Sequence, residues 1–180
     1  MDDIRFADPS APALNALASL INNEAQIAAV PPCFLAAIVA RETGGRNILQ
    51  EGMPPGPGCG VGLTQITSGV DWSNPADPMY QGYHLLKEDE NLYVAGAYFL
   101  KGLLASAQRL AIYNPTGFQA CCRGQLVYAA AAGYNEGWGA VLDRVSRGVD
   151  VDDGTTDGYA AFVYAKYIEF LNASHAAVRP

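Results

Sequence analysis

Hydrophobic residues recur along this chain at the three- and four-residue spacing of helices, and the two-residue alternation of strands is nearly absent. A first helix is predicted from Pro12, and Pro31 and Pro32 end it. Its apolar positions are Leu14, Leu17, Leu20 and Ile21. Pro32 suits the first turn of a second, short helix that runs to Gly44 and Gly45. The pattern predicts a mostly α-helical fold.

Four more helices are predicted in the rest of the chain. They hold Asp89 to Leu103, Leu126 to Tyr134, Val141 to Val145 and Tyr159 to Phe170. Asp89 is the predicted N-cap of the first of these. Irregular stretches rich in Gly and Pro are predicted at 47–62 and 71–83, and an acidic turn at 150–157 precedes the last helix.

Length and composition indicate one globular domain over residues 1–180. Half of the 180 residues are hydrophobic and 16% are charged, and the chain has neither repeats nor a linker. No apolar run approaches the roughly 20 residues that span a bilayer, so no membrane span is expected. The N-terminus begins with acidic residues and lacks the apolar stretch of a secretory signal.

The net charge of −7 argues against a nucleic-acid partner, because phosphate backbones require clustered Lys and Arg. The four cysteines are Cys33, Cys59, Cys121 and Cys122. They form no C-x-x-C pair, and only two histidines could supplement them, so neither a metal site nor a cofactor is expected. One or two disulfides and four reduced thiols both remain open.

Glu42 is the first candidate for chemistry. Phe34, Ile38 and Glu42 share one face of the second predicted helix, so a carboxylate follows two large apolar side chains. A carboxyl at the edge of a core is partly desolvated, which raises its pKa and favours the protonated form that a general acid needs. The alternative is that Glu42 pairs with Arg41 or Arg46 near the helix end.

Three segments carry a family resemblance. They read ARETGG at 40–45, GVGLTQIT at 60–67 and AGYNEGWGAV at 132–141. In this order they resemble the soluble lytic transglycosylases and goose-type lysozymes of glycoside hydrolase family 23, and 89–100 looks like a further helix of that family. The resemblance covers about residues 30–172. It implies a lysozyme-like fold of the transglycosylase type, a single domain with a loop-rich active-site cleft.

The resemblance also implies site residues. Glu42 matches the family's catalytic acid and base, and Gly62 lies in a run that lets backbone approach a sugar. Gln65 would offer its amide to an N-acetyl group or a hydroxyl, unless it is a surface amide. Asn135 would form hydrogen bonds with an acetamido group, since its amide both donates and accepts. Tyr134 would line the cleft or pack with its hydroxyl at the rim.

The last helix and the third motif add two expectations. The resemblance implies that the hydroxyl of Tyr159 holds the catalytic Glu in place, with core packing as the alternative. Glu136 replaces a small residue of the family and is expected to be solvent-exposed. Trp72 and Trp138 could stack on sugars, although large aromatic side chains more often belong to the core.

The implied activity is cleavage of the β-1,4 bond between N-acetylmuramic acid and N-acetylglucosamine in bacterial peptidoglycan. Goose-type hydrolases use further aspartates to position water, but the loop at 47–59 has none, and Asp71 and Asp77 lie further on. A lytic transglycosylase that leaves 1,6-anhydro ends is therefore predicted. The alternatives are a goose-type lysozyme, a chitin-acting relative and a non-catalytic glycan-binding module.

Such an enzyme acts at the bacterial cell wall. Without a signal peptide the chain suits a phage lysin, a virion-associated domain or a domain excised from a longer protein. Its acidic charge and lack of binding repeats favour reliance on a separate wall-binding segment.

Overall fold

Helices account for most of the residues that the computed structural model describes, which are 12–50, 59–67 and 84–176. In chain order the α-helices are α1 (Pro12–Ala16), α2 (Ala18–Ala28), α3 (Pro32–Glu42), α4 (Glu88–Val94), α5 (Lys101–Tyr113), α6 (Pro115–Cys121), α7 (Leu126–Glu136), α8 (Trp138–Arg147) and α9 (Tyr159–Ala176). A π-helical segment, Ala95–Leu100, joins α4 to α5. The described residues form no sheet. The prediction of a mostly α-helical single domain is confirmed.

Helix α3 lies at the centre of the core. Every residue from Pro32 to Val39 is buried, because this stretch is apolar all round and α2 and α9 pack against it. Helix α7 in turn packs against α5, α8 and α9. Helix α9 thus packs against both α3 and α7, and Glu42 is the last residue of α3.

Helix boundaries differ from the predicted ones in three places. The first predicted helix is broken at Leu17 into α1 and α2. Helix α4 begins at Glu88, so Asp89 is not the N-cap but lies in the first turn, where acidic residues face the positive end of the helix dipole. The third difference is the π-helical segment, which lies within the stretch predicted as one regular helix.

The apolar pattern also missed α6. The helix starts at Pro115, and the Asn114 side chain caps it by accepting a hydrogen bond from the backbone N–H of Gly117 at 3.0 Å. An Asn followed by Pro at the first helical position is a start signal that apolar periodicity does not contain.

Several predictions fall outside the described residues. These include half of the irregular stretch at 47–62 and all of the one at 71–83, together with Trp72, Asp71 and Asp77. All four cysteines are described; each is buried and free of disulfide bonds. No helix among the described residues is long and apolar enough to cross a membrane. In the same part of the chain, no group of three His, Cys, Asp or Glu residues is arranged to hold a metal ion.

Candidate active site

Glu42 is the last residue of α3 and lines a cleft of about 460 Å³. The cleft is lined by Glu42, Arg46, Ile48, Gln50, Gln65, Thr67, Tyr134 and Asn135. Among these described residues Glu42 is the only carboxylic acid. Burial raises the pKa of Glu42, while its hydrogen bond with Tyr159 and the charge of Arg41 act in the opposite direction. The net effect favours a protonated carboxyl in a polar cleft.

Tyr159 holds the Glu42 carboxyl from the start of α9. Its hydroxyl donates a hydrogen bond to Oε1 of Glu42, and its side chain is only 3% exposed. Burial and the nearby Glu42 charge raise the pKa of Tyr159 well above its ordinary value, so the phenol keeps its proton and acts as a donor. The contact that the family resemblance implies is thus present, and Tyr159 is a core residue as well.

Arg41 and Arg46 do not pair with Glu42, because no ion pair among the described residues includes that carboxyl. The Arg41 guanidinium lies 5.5 Å from the ring centroid of Tyr159, and its Nη2 donates to the Thr156 carbonyl at 2.9 Å. Nε of Arg46 donates to the Thr43 carbonyl at 3.1 Å. Arg41 therefore links the end of α3 to the start of α9, beside the Glu42–Tyr159 contact.

The turn at 61–66 forms another wall of the site and is tied to three helices. The Thr43 hydroxyl, at the end of α3, donates to the Leu63 carbonyl at 2.9 Å. The Tyr134 hydroxyl, from α7, donates to the Thr64 carbonyl at 2.8 Å. Asn91, from α4, makes the third connection. The turn is consequently held in a fixed position relative to Glu42.

Asn91 is a residue that sequence reasoning did not single out for the site. It is fully buried, and its Oδ1 accepts bonds from the backbone N–H and the hydroxyl of Thr64 at 3.0 and 2.8 Å. Its Nδ2 donates to the carbonyls of Val61 and Leu85 at 2.9 and 3.0 Å. One amide thus satisfies three polar groups of the turn and the carbonyl of Leu85.

Gly62 is required by this network. Its φ is +75°, and a Cβ at this position would collide with the Asn91 side chain and the Leu85 carbonyl. The space beside Gly62 is thus occupied by protein. Its role as a residue that lets a sugar approach stays a prediction, since it is not among the residues that line the cleft.

Gln65 lines the cleft, but its amide nitrogen is already used. Nε2 donates to the carbonyls of Ile48 and Gly62 at 3.0 and 2.9 Å. Gln65 has a left-handed conformation with φ of 51°, which costs a non-glycine residue about 1–2 kcal/mol. Oε1 is therefore the atom of this side chain left to accept a bond from a ligand.

Tyr134 and Asn135 lie in the last turn of α7 and line the cleft. The Tyr134 ring packs edge-to-face on Phe99, with centroids 6.0 Å apart, and its hydroxyl is engaged with the turn. Oδ1 of Asn135 accepts a bond from the backbone N–H of Thr156 at 3.0 Å. The Asn135 amide nitrogen is thus the donor that this pair offers to the cleft.

The expectation of an exposed Glu136 is wrong. Its side chain is 17% exposed, and its carboxylate forms an ion pair with Arg144 of α8. Arg144 also donates to the Val151 carbonyl at 3.2 Å and fills the space beside Gly154. This pair connects the end of α7 to α8, and through Arg144 to the turn that precedes α9.

Asp152 and Thr155 define the start of α9 and so the position of Tyr159. The Thr155 hydroxyl accepts a bond from the backbone N–H of Tyr159 at 2.9 Å, and Asp152 Oδ1 accepts one from that of Ala160 at 2.7 Å. Polar side chains that satisfy N–H groups of a first helical turn are typical caps. The acidic composition of 150–157 predicted a turn here, but not this role.

A scan of the chain against models of protein families gave no match, and a search of curated proteins found no similar sequence.

Proposed function

We propose that this chain cleaves the β-1,4 bond between N-acetylmuramic acid and N-acetylglucosamine of bacterial peptidoglycan, as a lytic transglycosylase with a lysozyme-like fold. The environment of Glu42 is the observation that carries the proposal. Its carboxyl lines a polar cleft, has a raised pKa and accepts a hydrogen bond from a buried tyrosine. These are the properties of a general acid that protonates a glycosidic oxygen.

In the proposed reaction Glu42 gives its proton to the glycosidic oxygen while the bond from that oxygen to C1 of muramic acid breaks. The resulting carboxylate accepts the proton of the 6-hydroxyl of the same sugar, and O6 bonds to C1. The products are a strand with a new 4-hydroxyl and a 1,6-anhydro-muramoyl end, and Glu42 regains its proton.

Hydrolysis needs a second group that activates water. Glu42 is the only carboxylic acid among the described residues that line the cleft, which favours the intramolecular 6-hydroxyl as nucleophile. The proposed substrate implies action at the bacterial cell wall. A goose-type hydrolase, a chitin-acting relative and a glycan-binding module are the alternatives, and each predicts a different set of products.

Mass spectrometry of the products separates these functions. The protein is incubated with peptidoglycan and with chitin oligomers, and anhydro-muramoyl ends from peptidoglycan are expected. Saturated reducing ends would show a hydrolase, and cleavage of chitin alone would show a chitin-acting enzyme. If neither substrate gives products, the non-catalytic glycan-binding module is the alternative that remains.

Glu42→Gln links the activity to the assigned residue. It preserves shape but removes the titrating proton, so activity should fall about a thousandfold or more. Glu88→Gln is the matched control, since Glu88 is an exposed glutamate at the start of α4. A Glu42→Gln protein that keeps more than a tenth of wild-type turnover would contradict the assignment.

A further inference from the structure

A second cavity, here called the lateral groove, opens beside the cleft of Glu42 and measures about 500 Å³. Gln65, Thr67 and Tyr134 line both cavities, so the two are adjacent. Most of the other large side chains of the lateral groove are apolar or aromatic: Ile66, Tyr98, Phe99, Leu103 and Trp138. A cavity of this size accommodates a small molecule or a short peptide segment.

Arg109 is the only charged residue among those that line the lateral groove. Its Nη2 donates to the Ser106 hydroxyl at 3.3 Å, and it forms no ion pair within the described part of the chain. In that same part, five other cationic side chains do form ion pairs: Lys87, Arg123, Arg144, Arg147 and Lys166. The guanidinium at the lateral groove is therefore available to an outside carboxylate.

The cleft of Glu42 also contains an arginine that forms no ion pair within the described part of the chain. Arg46 lines that cleft and makes its hydrogen bond to a backbone carbonyl rather than to a carboxylate. Apart from Glu42, no acidic residue lies among the described residues that line either cavity. In a chain of net charge −7, two adjacent cavities that each present one arginine are complementary to an anionic ligand.

We propose that the lateral groove binds the carboxylate-bearing peptide branch of the glycan strand, and that Arg109 contacts a carboxylate of that branch. This rests on the proposed function, because it takes peptidoglycan as the substrate. A planar guanidinium matches a carboxylate with two parallel hydrogen bonds, and the apolar walls suit aliphatic peptide side chains. Neutral chitin carries no such branch, so the lateral groove would distinguish the two polymers.

Kinetics on two soluble glycan oligomers of equal length test the proposal. One carries its peptides, and an amidase has removed them from the other. The wild type should show a kcat/KM about tenfold higher on the peptide-bearing oligomer, and Arg109→Gln should lose most of that preference, as expected for one charge-assisted contact. The oligomer without peptides should be cleaved by Arg109→Gln at the wild-type rate.

Lys101→Gln is the matched control, because it removes one positive charge from the same helix at a position that does not line the lateral groove. It should leave kcat/KM unchanged on both oligomers. Equal wild-type kcat/KM on the two oligomers would overturn the proposal. So would an equal loss on both in Arg109→Gln.

Fluorescence of Trp138 measures binding apart from catalysis. The chain has two tryptophans, so in a Glu42→Gln, Trp72→Phe protein Trp138 alone reports on the lateral groove. The peptide-bearing oligomer should bind more tightly, and Arg109→Gln should abolish the difference. If the wild type cleaves neither oligomer but this preference persists, the proposed function fails and the groove assignment stands. Equal binding of both oligomers overturns the groove assignment, even where glycan is cleaved.

Discussion

At the residue scale, two opposing influences act on the carboxyl of Glu42. Burial raises its pKa, whereas the Tyr159 hydroxyl and the Arg41 charge stabilise the ionised form. Because burial dominates, the carboxyl favours its proton and yet stays held at one oxygen by Tyr159. A group that first donates and then accepts a proton needs both properties.

Tyr159→Phe should change the pH dependence of activity. Removing the hydroxyl removes a hydrogen bond that lowers the pKa of Glu42, so that pKa rises further. The limb along which kcat/KM falls with increasing pH should then move to higher pH, and the maximal rate should fall about tenfold as the carboxyl loses its support. Tyr167→Phe, on the same helix but not among the residues that line the cleft, is the control. A limb that stays in place or moves to lower pH contradicts this role for Tyr159.

The pKa of Glu42 also predicts a pH-dependent stability. The Glu42 carboxyl binds its proton more tightly in the folded chain than in the unfolded chain, where its pKa is near 4.5. The stabilisation is complete below that value and is lost as the pH rises through the raised folded-state pKa. Because Gln does not titrate, the Tm of Glu42→Gln minus that of the wild type should increase as the pH rises above about 4.5, and it should level off once the pH exceeds the folded-state pKa. Thermal unfolding across this range checks it, and a constant difference would refute it.

At the element scale, the turn at 61–66 depends on helices that lie far from it in sequence. Thr64 and Asn91 are 27 residues apart, and Thr64 and Tyr134 are 70 apart, yet both contacts fix the same short turn. The cleft wall therefore depends on the packing of α4 and α7 rather than on the glycines of the turn alone.

Two glycine substitutions separate backbone strain from packing. Gly44 and Gly62 both have positive φ, but a Cβ at Gly44 meets open space, while one at Gly62 meets the Asn91 side chain. Gly44→Ala should cost about 1–2 kcal/mol of unfolding free energy, from left-handed strain alone. Gly62→Ala should cost about 2 kcal/mol more, because Asn91 must shift and its buried hydrogen bonds weaken. Denaturant unfolding measures the free energy lost in each variant. Equal losses would contradict the prediction, because they would mean that Asn91 shifts at little cost in free energy.

At the scale of the whole molecule, buried thiols report on the integrity of the core. Cys121 and Cys122 are 1% and 0% exposed, and burial, with the nearby Cys121 and Asp150 charges, raises the pKa of Cys122 to about 12. Burial keeps the reagent from both sulfur atoms, and the raised pKa leaves little of the reactive thiolate at Cys122. Both thiols should therefore react with Ellman's reagent at pH 8 at least about a hundredfold more slowly in the native chain than in denaturant. Fast reaction of the native chain would show that the core opens readily.

Some features of the site could be predicted from the sequence because their signals are local. Apolar spacing and the proline at Pro32 predict α3, and the motif segments single out Glu42 at its end. The spacing of Tyr159 and the apolar residues after it likewise predicts α9. Helix formation depends largely on neighbours within about four residues, so a linear pattern contains most of the information.

Other features could not be read from any linear pattern. In the sequence Asn91 resembles any polar residue of a first helical turn. Only in the folded chain does it bond to four polar groups, which belong to Val61, Thr64 and Leu85. Glu136 suggested a solvated carboxylate until Arg144 was brought beside it. Gln65 was expected to offer its amide to a ligand, but its amide nitrogen donates to the backbone carbonyls of Ile48 and Gly62.

The sequence by itself determined most of the helical stretches, with α6 as the exception, and it singled out the carboxyl that is the candidate acid. Only the tertiary structure decided how that carboxyl is supported and which atoms remain for a ligand. The physical reason is that backbone conformation responds to near neighbours, whereas the partners of a buried polar group are chosen by the packing of helices that are distant in sequence.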